Sequence, residues 1–108
     1  MIGESGGAYL SIAVTMRARD EDVKLPAGIV PCSAPIDFRH GKECIDRHFE
    51  GNKDFTVSPD GLQWLAILFD PEKKYNDDKY AHPILDDFHG FPPVLLAWDE
   101  SESLAVDQ

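Results

Sequence analysis

The stretch Gly3-Glu4-Ser5-Gly6-Gly7 constrains this chain more than any other, because Gly-x-Ser-x-Gly is the pattern of a strained strand-to-helix turn. Such a turn lifts a serine hydroxyl clear of the end of a strand. The residues two before and two after the serine must be small, since side chains there would meet the neighbouring strand and helix. Gly3 and Gly7 hold those places. The following helix aims its N-terminal dipole at a developing oxyanion, and the amide of Gly6, next after the serine, is placed to donate one hydrogen bond to it. Ser5 also has a plainer reading, as the N-cap of the helix it opens, because serine is a favoured cap and short patterns recur by chance. Both readings predict a helix that opens at Ser5.

From Gly6 to about Arg19 the chain carries Leu10, Ala13 and Val14 on one face, with Ile12 and Met16 widening the apolar stripe. A helix buried on more than one side is expected, ended by the charged run from Asp20 to Lys24 and by Pro26. Ile29, Val30 and Cys32 then read as a short buried strand. Pro31 donates no ladder bond, so this strand is expected at a sheet edge or bulge, or without a neighbour on one side. Residues 39–60 are polar and rich in turn formers, and read as an irregular excursion. A second amphipathic helix is expected from Asp60 to Phe69, started by Ser58-Pro59, with Leu62, Leu65, Ala66 and Phe69 on one face. After a solvated connection, Val94 to Trp98 is the best strand in the sequence, and Ser101 to Asp107 could open a final helix. This order is that of an α/β fold, a few parallel strands with crossover helices. With two clear strands the sheet is an unfinished one, in a single domain over 1–108 with 39–80 as an excursion.

A length of 108 residues, 43% of them hydrophobic and 28% charged, gives one small soluble core. The formal charge of −10 repels phosphate backbones and anionic lipid, so nucleic acid and membrane surfaces are not expected partners. No apolar run reaches the roughly 20 residues of a membrane helix and no signal peptide is visible, so a cytoplasmic chain is expected. Cys32 and Cys44 are then read as free thiols. The acidic pairs Asp77-Asp78 and Asp86-Asp87 lie near His82 and His89, but without metal-ligand spacing they read as solvated charge and no metal is expected. Trp64 and Trp98 read as packing residues, Trp98 with a second reading as part of a pocket lining.

Two separated stretches resemble one family. "GESGGAYLSIAVTMRARDEDVKLPAGIVPCSAPIDF" resembles the part of the hormone-sensitive-lipase-like esterases that runs from a GDSAGG turn, through a helix ending "RARD", to a strand "PAG…LLSPWxD". "YAHPILDDFHGFPPVLLAWDESESL" resembles that family's "SPLxADLxGLPPxLIxxG" and the acid-bearing turn after it. The likeness covers nearly the whole chain and is weakest from about Arg39 to Asp60, on the family's cap side. It implies an α/β-hydrolase fold, here a partial one, and a Ser-Asp/Glu-His triad. It also implies hydrolysis of small carboxylic esters with short to medium acyl groups, without a cofactor. Ser5 matches the nucleophile, Gly6 the oxyanion amide and Glu4 the acidic or amide position before the serine. The chain departs from the pattern at Gly6, usually alanine, and at Ala34-Pro35 in place of Pro-Trp. An ungapped count from Pro93 puts the Asp-Pro-Leu acid of one branch at Glu102, followed by Ser103-Leu104, and matches Glu100 to an earlier glutamate. The other branch places its aspartate at Ser101, and a two-residue insertion nominates Asp99-Glu100. Glu102 is the first candidate and Asp99 the second, each with the plainer reading of an exposed acid capping the last helix.

The resemblance further implies a histidine base past Gln108, and a His-Gly-Gly oxyanion loop, the first strands and the elbow strand itself before Met1, so the chain reads as a middle-to-late piece, incomplete by itself. Substitution of the base by His40, His48, His82 or His89 is disfavoured because triads tolerate little misplacement. Two functions follow. One is a serine ester hydrolase; the other is a non-catalytic module that self-associates or pairs with another chain through unpaired strand edges.

Overall fold

The strand leading into Ser5, expected before Met1, lies within the chain, and a helix follows it as expected. The computed structural model describes residues 1–39, 54 and 56–107. In it Ile2–Glu4 is a strand, β1, and Gly6–Asp20 a helix, α1. The helix is the crossover that parallel strands require, and it returns the chain to a second strand, β2, at Val30–Cys32. β1 and β2 pair in parallel with Ile2 opposite Val30, Gly3 opposite Pro31 and Glu4 opposite Cys32. On the other side of β2 the segment 94–97 runs parallel to it, bridged where Val94 meets Ile29 and Ala97 meets Cys32.

β2 therefore has a neighbour on each side, β1 through a ladder and 94–97 through isolated bridges, and the expectation for Pro31, an edge, a bulge or a missing neighbour, is met only in the broken ladder. Proline acts on one ladder. Toward 94–97 the bonds run from Ile29 N to Pro93 O (3.0 Å), Leu95 N to Ile29 O (3.0 Å), Ala97 N to Pro31 O (3.2 Å) and Ser33 N to Ala97 O (2.8 Å). The alternation calls for a further bond from position 31 to Leu95 O, and proline has no N–H to give. The ladder is reduced to two separate bridges, so the run read as the best strand sits in strand register without a continuous ladder.

The buried face of α1 consists of Ala8, Ser11, Ile12, Thr15 and Met16. Leu10 and Val14, expected on the buried face, are 57% and 55% exposed. The correction has a steric cause. At Gly3 the strand comes so close to the backbone of Gly7 and Ala8 that the face turned to the sheet must be the one with small residues at its top. Ser11 and Thr15 enter that face at little expense because their hydroxyls donate to Ala8 O and Ser11 O, each at 2.7 Å. Ala8, Ile12, Met16, Ile29 and Ala34 make the core, flanked by Ile36, Tyr80 and Phe91.

A second helix, α2, spans Pro59–Phe69, and Ser58 caps it by accepting from Gly61 N at 3.0 Å, as the Ser-Pro start predicts. Of the face expected to be buried, Ala66 is, Leu65 is exposed, and Phe69 reaches the body of the protein through its ring. That ring stacks on Phe38 at 4.9 Å, with Tyr9 edge-on to both. Trp64 is 63% exposed and is no core residue. Short 3-10 turns follow at Pro83–Leu85 and Ser103–Asp107, the latter in place of the expected final helix. Most of the expected excursion, with His40, Cys44 and His48, lies outside the described residues. Asp54, within it, accepts from both the amide and the hydroxyl of Ser103 at 2.9 Å.

The C-terminal end of α1 is clasped by the chain that precedes the third parallel segment. The Arg19 guanidinium is bidentate to Asp86 at 2.7 and 3.0 Å, and lies over the Phe91 ring. Lys79 and the Tyr80 hydroxyl both reach Asp20 Oδ2, at 2.6 Å. Hydrogen bonding by Arg19 holds the carboxyls of Asp20 and Asp86 well below the usual range, with Lys79 and Tyr80 adding to the effect at Asp20.

Candidate functional site

Ser5 sits between β1 and α1 with φ 51° and ψ −120°, a region that L side chains rarely occupy. Holding a non-glycine residue there costs on the order of 1–3 kcal/mol, so the surroundings must fix it. They do so through the backbone: Ser5 N donates to Cys32 O at 2.9 Å, and Ser5 O accepts from Tyr9 N at 3.0 Å. The residue is exposed, and its side chain makes no capping hydrogen bond. The N-cap reading called for such a bond; Ser5 caps by position and its hydroxyl is left for other use.

The two flanking glycines turn out to differ. A Cβ at Gly3 would lie 2.2 Å from Gly7 O and 2.7 Å from Ala8 N, which no side chain survives. At Gly7 an added Cβ meets nothing within 4 Å, so the expectation that both positions exclude side chains holds for the first alone. A Cβ at Gly6 likewise meets nothing within 4 Å, which suits the alanine common at that place in the resembling family.

Glu102 comes to the same end of the sheet from the third parallel segment. Its Oε2 accepts from the Ser33 hydroxyl at 2.7 Å, and its Oε1 is buried with no hydrogen-bond partner. Ser33 follows β2 directly, also in left-handed backbone at φ 50°. β1 thus leads into Ser5, β2 into Ser33 and the third segment into the turn of Glu102. All three residues lie past the carboxyl ends of parallel strands, where open α/β sheets place their sites.

Asp99 is exposed and turned to another task. Its Oδ1 accepts from Ser101 N at 2.8 Å and Ser101 Oγ at 2.6 Å, which holds its carboxyl below the usual range. Its carbonyl accepts from Glu102 N at 3.1 Å, closing the turn that carries Glu102. Of the histidines, His82 is fully buried, accepts from Phe38 N through Nδ1 at 3.1 Å and lies edge-on to Phe69. His89 is exposed, with its amide bound to Asp87 Oδ1. Neither hydrogen-bonds Glu102.

Sequence reading passed over Ser33. The signal was present, since the serine of the "LLSPWxD" strand falls on "PCSAP", but its partner lies 69 residues away. A cavity of about 430 Å³ also opens under α1, lined by Ile12, Ile29, Phe88, Phe91, Val94 and Leu96 among others. Its apolar wall does not include Ser5, Ser33 or Glu102.

With this geometry in hand, similarity to known proteins adds a frame. Residues 1–108 match a family described by the alpha/beta hydrolase fold. An esterase of Acinetobacter venetianus is 27% identical over 105 residues, which is 97% of this chain and 34% of that protein. The crystal structure of the esterase EstE5 superposes with a TM-score of 0.81 at 27% identity, over 98% of this chain and 35% of that one. That of an esterase from the bacterial hormone-sensitive lipase family gives a TM-score of 0.80 at 26% identity, again over 98% and 35%. The chain spans about a third of the length of these relatives.

Proposed function

Because the chain belongs to the alpha/beta hydrolase fold family, with esterases of hormone-sensitive-lipase type among its relatives, we propose that it carries the nucleophile and the acid of a serine carboxylic-ester hydrolase. In this reading Ser5 Oγ attacks the acyl carbon of a small ester while a histidine base takes its proton. Gly6 N–H and the N-terminus of α1 stabilise the oxyanion, and the base returns the proton to the departing alcohol. Water then releases the acid by the same route in reverse. Glu102 orients the histidine and stabilises its charged form through Oε1, without taking the proton. Asp99 shapes the turn beneath it. The reaction uses no cofactor.

The observation that carries the proposal is the backbone of Ser5, held at φ 51° in an exposed residue whose side chain caps nothing. The unpartnered, buried Glu102 Oε1 supports it, because a buried carboxylate oxygen calls for a donor and an imidazole N–H supplies one. The base is taken to come from outside the described residues. Treatment with a fluorophosphonate, alongside hydrolysis of p-nitrophenyl acetate, each with free imidazole supplied as the base, decides the role of Ser5. The adduct should form on Ser5 and disappear in Ser5→Ala; equal signals from the two proteins would remove the serine from the chemistry.

A second reading, an associating module, is favoured by a different observation. On the sheet face turned away from α1, Ile2 and Leu95 are 78% and 66% exposed, and among the described residues β1 pairs with β2 alone. Apolar surface next to an open strand edge attracts another chain or a second copy. Association by itself is compatible with catalysis; a non-catalytic module is not, and the labelling of Ser5 separates the two readings.

A further inference from the structure

We propose that Ser33 is a positioning residue for the acid: its hydroxyl, bonded to Glu102 Oε2, fixes the carboxylate so that Oε1 faces the imidazole that completes the site. This rests on the reading of Ser5 and Glu102 as nucleophile and acid. A glutamate has three rotatable side-chain bonds, so a carboxylate at the end of a turn has no fixed aim unless something binds one of its oxygens. Ser33 binds one at 2.7 Å, the separation of a charge-assisted O–H···O bond, and leaves the other buried and unpartnered.

The backbone that carries the hydroxyl is pinned on both sides. Ser33 N donates to Ala97 O at 2.8 Å, in the segment that leads to the acid, while the preceding carbonyl, Cys32 O, accepts from Ser5 N at 2.9 Å. One dipeptide therefore touches the backbone of the nucleophile, the strand before the acid, and the acid. Its left-handed φ of 50° is strain stored where the geometry is used. A serine that only shaped the end of β2 would need its backbone bonds and not its hydroxyl.

The test supplies the base as free imidazole and reads, by intact mass, the rate at which a fluorophosphonate modifies Ser5 of the full chain. In that step imidazole takes the Ser5 hydroxyl proton, the oxygen–phosphorus bond forms and the phosphorus–fluorine bond breaks to release fluoride. Imidazole should accelerate the wild-type reaction, and Ser33→Ala should lose about tenfold of that acceleration, as expected for one hydrogen bond to a charged group. Glu102→Gln should lose it as well, and adding Ser33→Ala to Glu102→Gln should change nothing more, whereas a purely structural serine would slow both backgrounds alike. Ser33→Asn, which keeps a donor and tolerates left-handed backbone, should retain most of the acceleration. Equal acceleration in wild type and Ser33→Ala, or equal losses in Ser33→Ala and Ser33→Asn, overturns the role of Ser33 and leaves Ser5 and Glu102 standing. Absence of a Ser5 adduct at every imidazole concentration, or full acceleration in Glu102→Gln, overturns the underlying reading and Ser33 with it.

Discussion

Gly3 and Gly7 look equivalent in the motif and are not. Gly3→Ala drives a methyl into the Gly7 carbonyl at 2.2 Å, a contact between two backbones that no rotamer relieves. The folded population should fall sharply, with the circular-dichroism signal of α1 lost or its melting lowered by many degrees. Gly7→Ala, in open space inside the first turn of α1, should raise stability by about 0.5–1 kcal/mol, because alanine loses less backbone entropy in a helix. Urea unfolding of the two variants beside wild type checks both signs, and a stable Gly3→Ala would contradict the close approach. The motif disclosed Ser5 and Gly6 because a strained turn is specified by residues within two positions of each other. Ser33 was not disclosed, because nothing near position 33 records that its hydroxyl meets Glu102 across the sheet.

The elements themselves were largely legible and their surroundings were not. Ser58 and Pro59 announced α2 through local capping chemistry, and Ser58→Ala should remove about 1 kcal/mol of helix stability, read as lost helicity on melting. The buried face of α1 was misread because apolar residues surround most of the helix; Leu10 and Val14 fit a helical stripe as well as Ile12 and Met16 do. The choice was made by the sheet, which admits only the side bearing Ala8 and Ser11 against Gly3. Pro31 was judged as an isolated proline, and the rule that sends prolines to sheet edges assumes that the lost bond is needed. Here the ladder toward 94–97 tolerates a missing rung, because bonds to Ile29 and Ser33 on either side hold the register. Pro31→Val should supply that rung, so the new amide at position 31 should exchange slowly with deuterium; rapid exchange would show that the two segments are not paired there.

At the scale of the whole molecule, the clasp from Arg19, Lys79 and Tyr80 to Asp20 and Asp86 joins α1 to the chain before the third parallel segment. Both carboxyls are held below their ordinary values, so the unfolded chain takes up their protons first as the pH falls. Their contribution is complete above the ordinary carboxylate value of about 4 and is lost as the pH drops through the lower folded values. The thermal midpoint should therefore fall in acid below about pH 4, and Asp86→Asn should start lower and show a shallower fall over that window. The exposed Ile2, Leu95, Leu10 and Val14 lead to a second expectation, that the chain associates at micromolar concentration despite its charge of −10. Sedimentation showing a compact monomer with a cooperative melt would count against the associating module. What the sequence by itself determined was the turn at Ser5, the parallel α/β order and the resemblance that points to an ester hydrolase. Each depends on residues close together or on ordered motifs, where dihedral preferences, capping and spacing leave a direct mark. Tertiary structure alone decided which side of α1 is buried, that β2 has a neighbour on each side, and that Ser33 grips Glu102 rather than Asp99. Those outcomes rest on contacts between residues tens of positions apart, and such contacts exist only after the segments have been packed against one another.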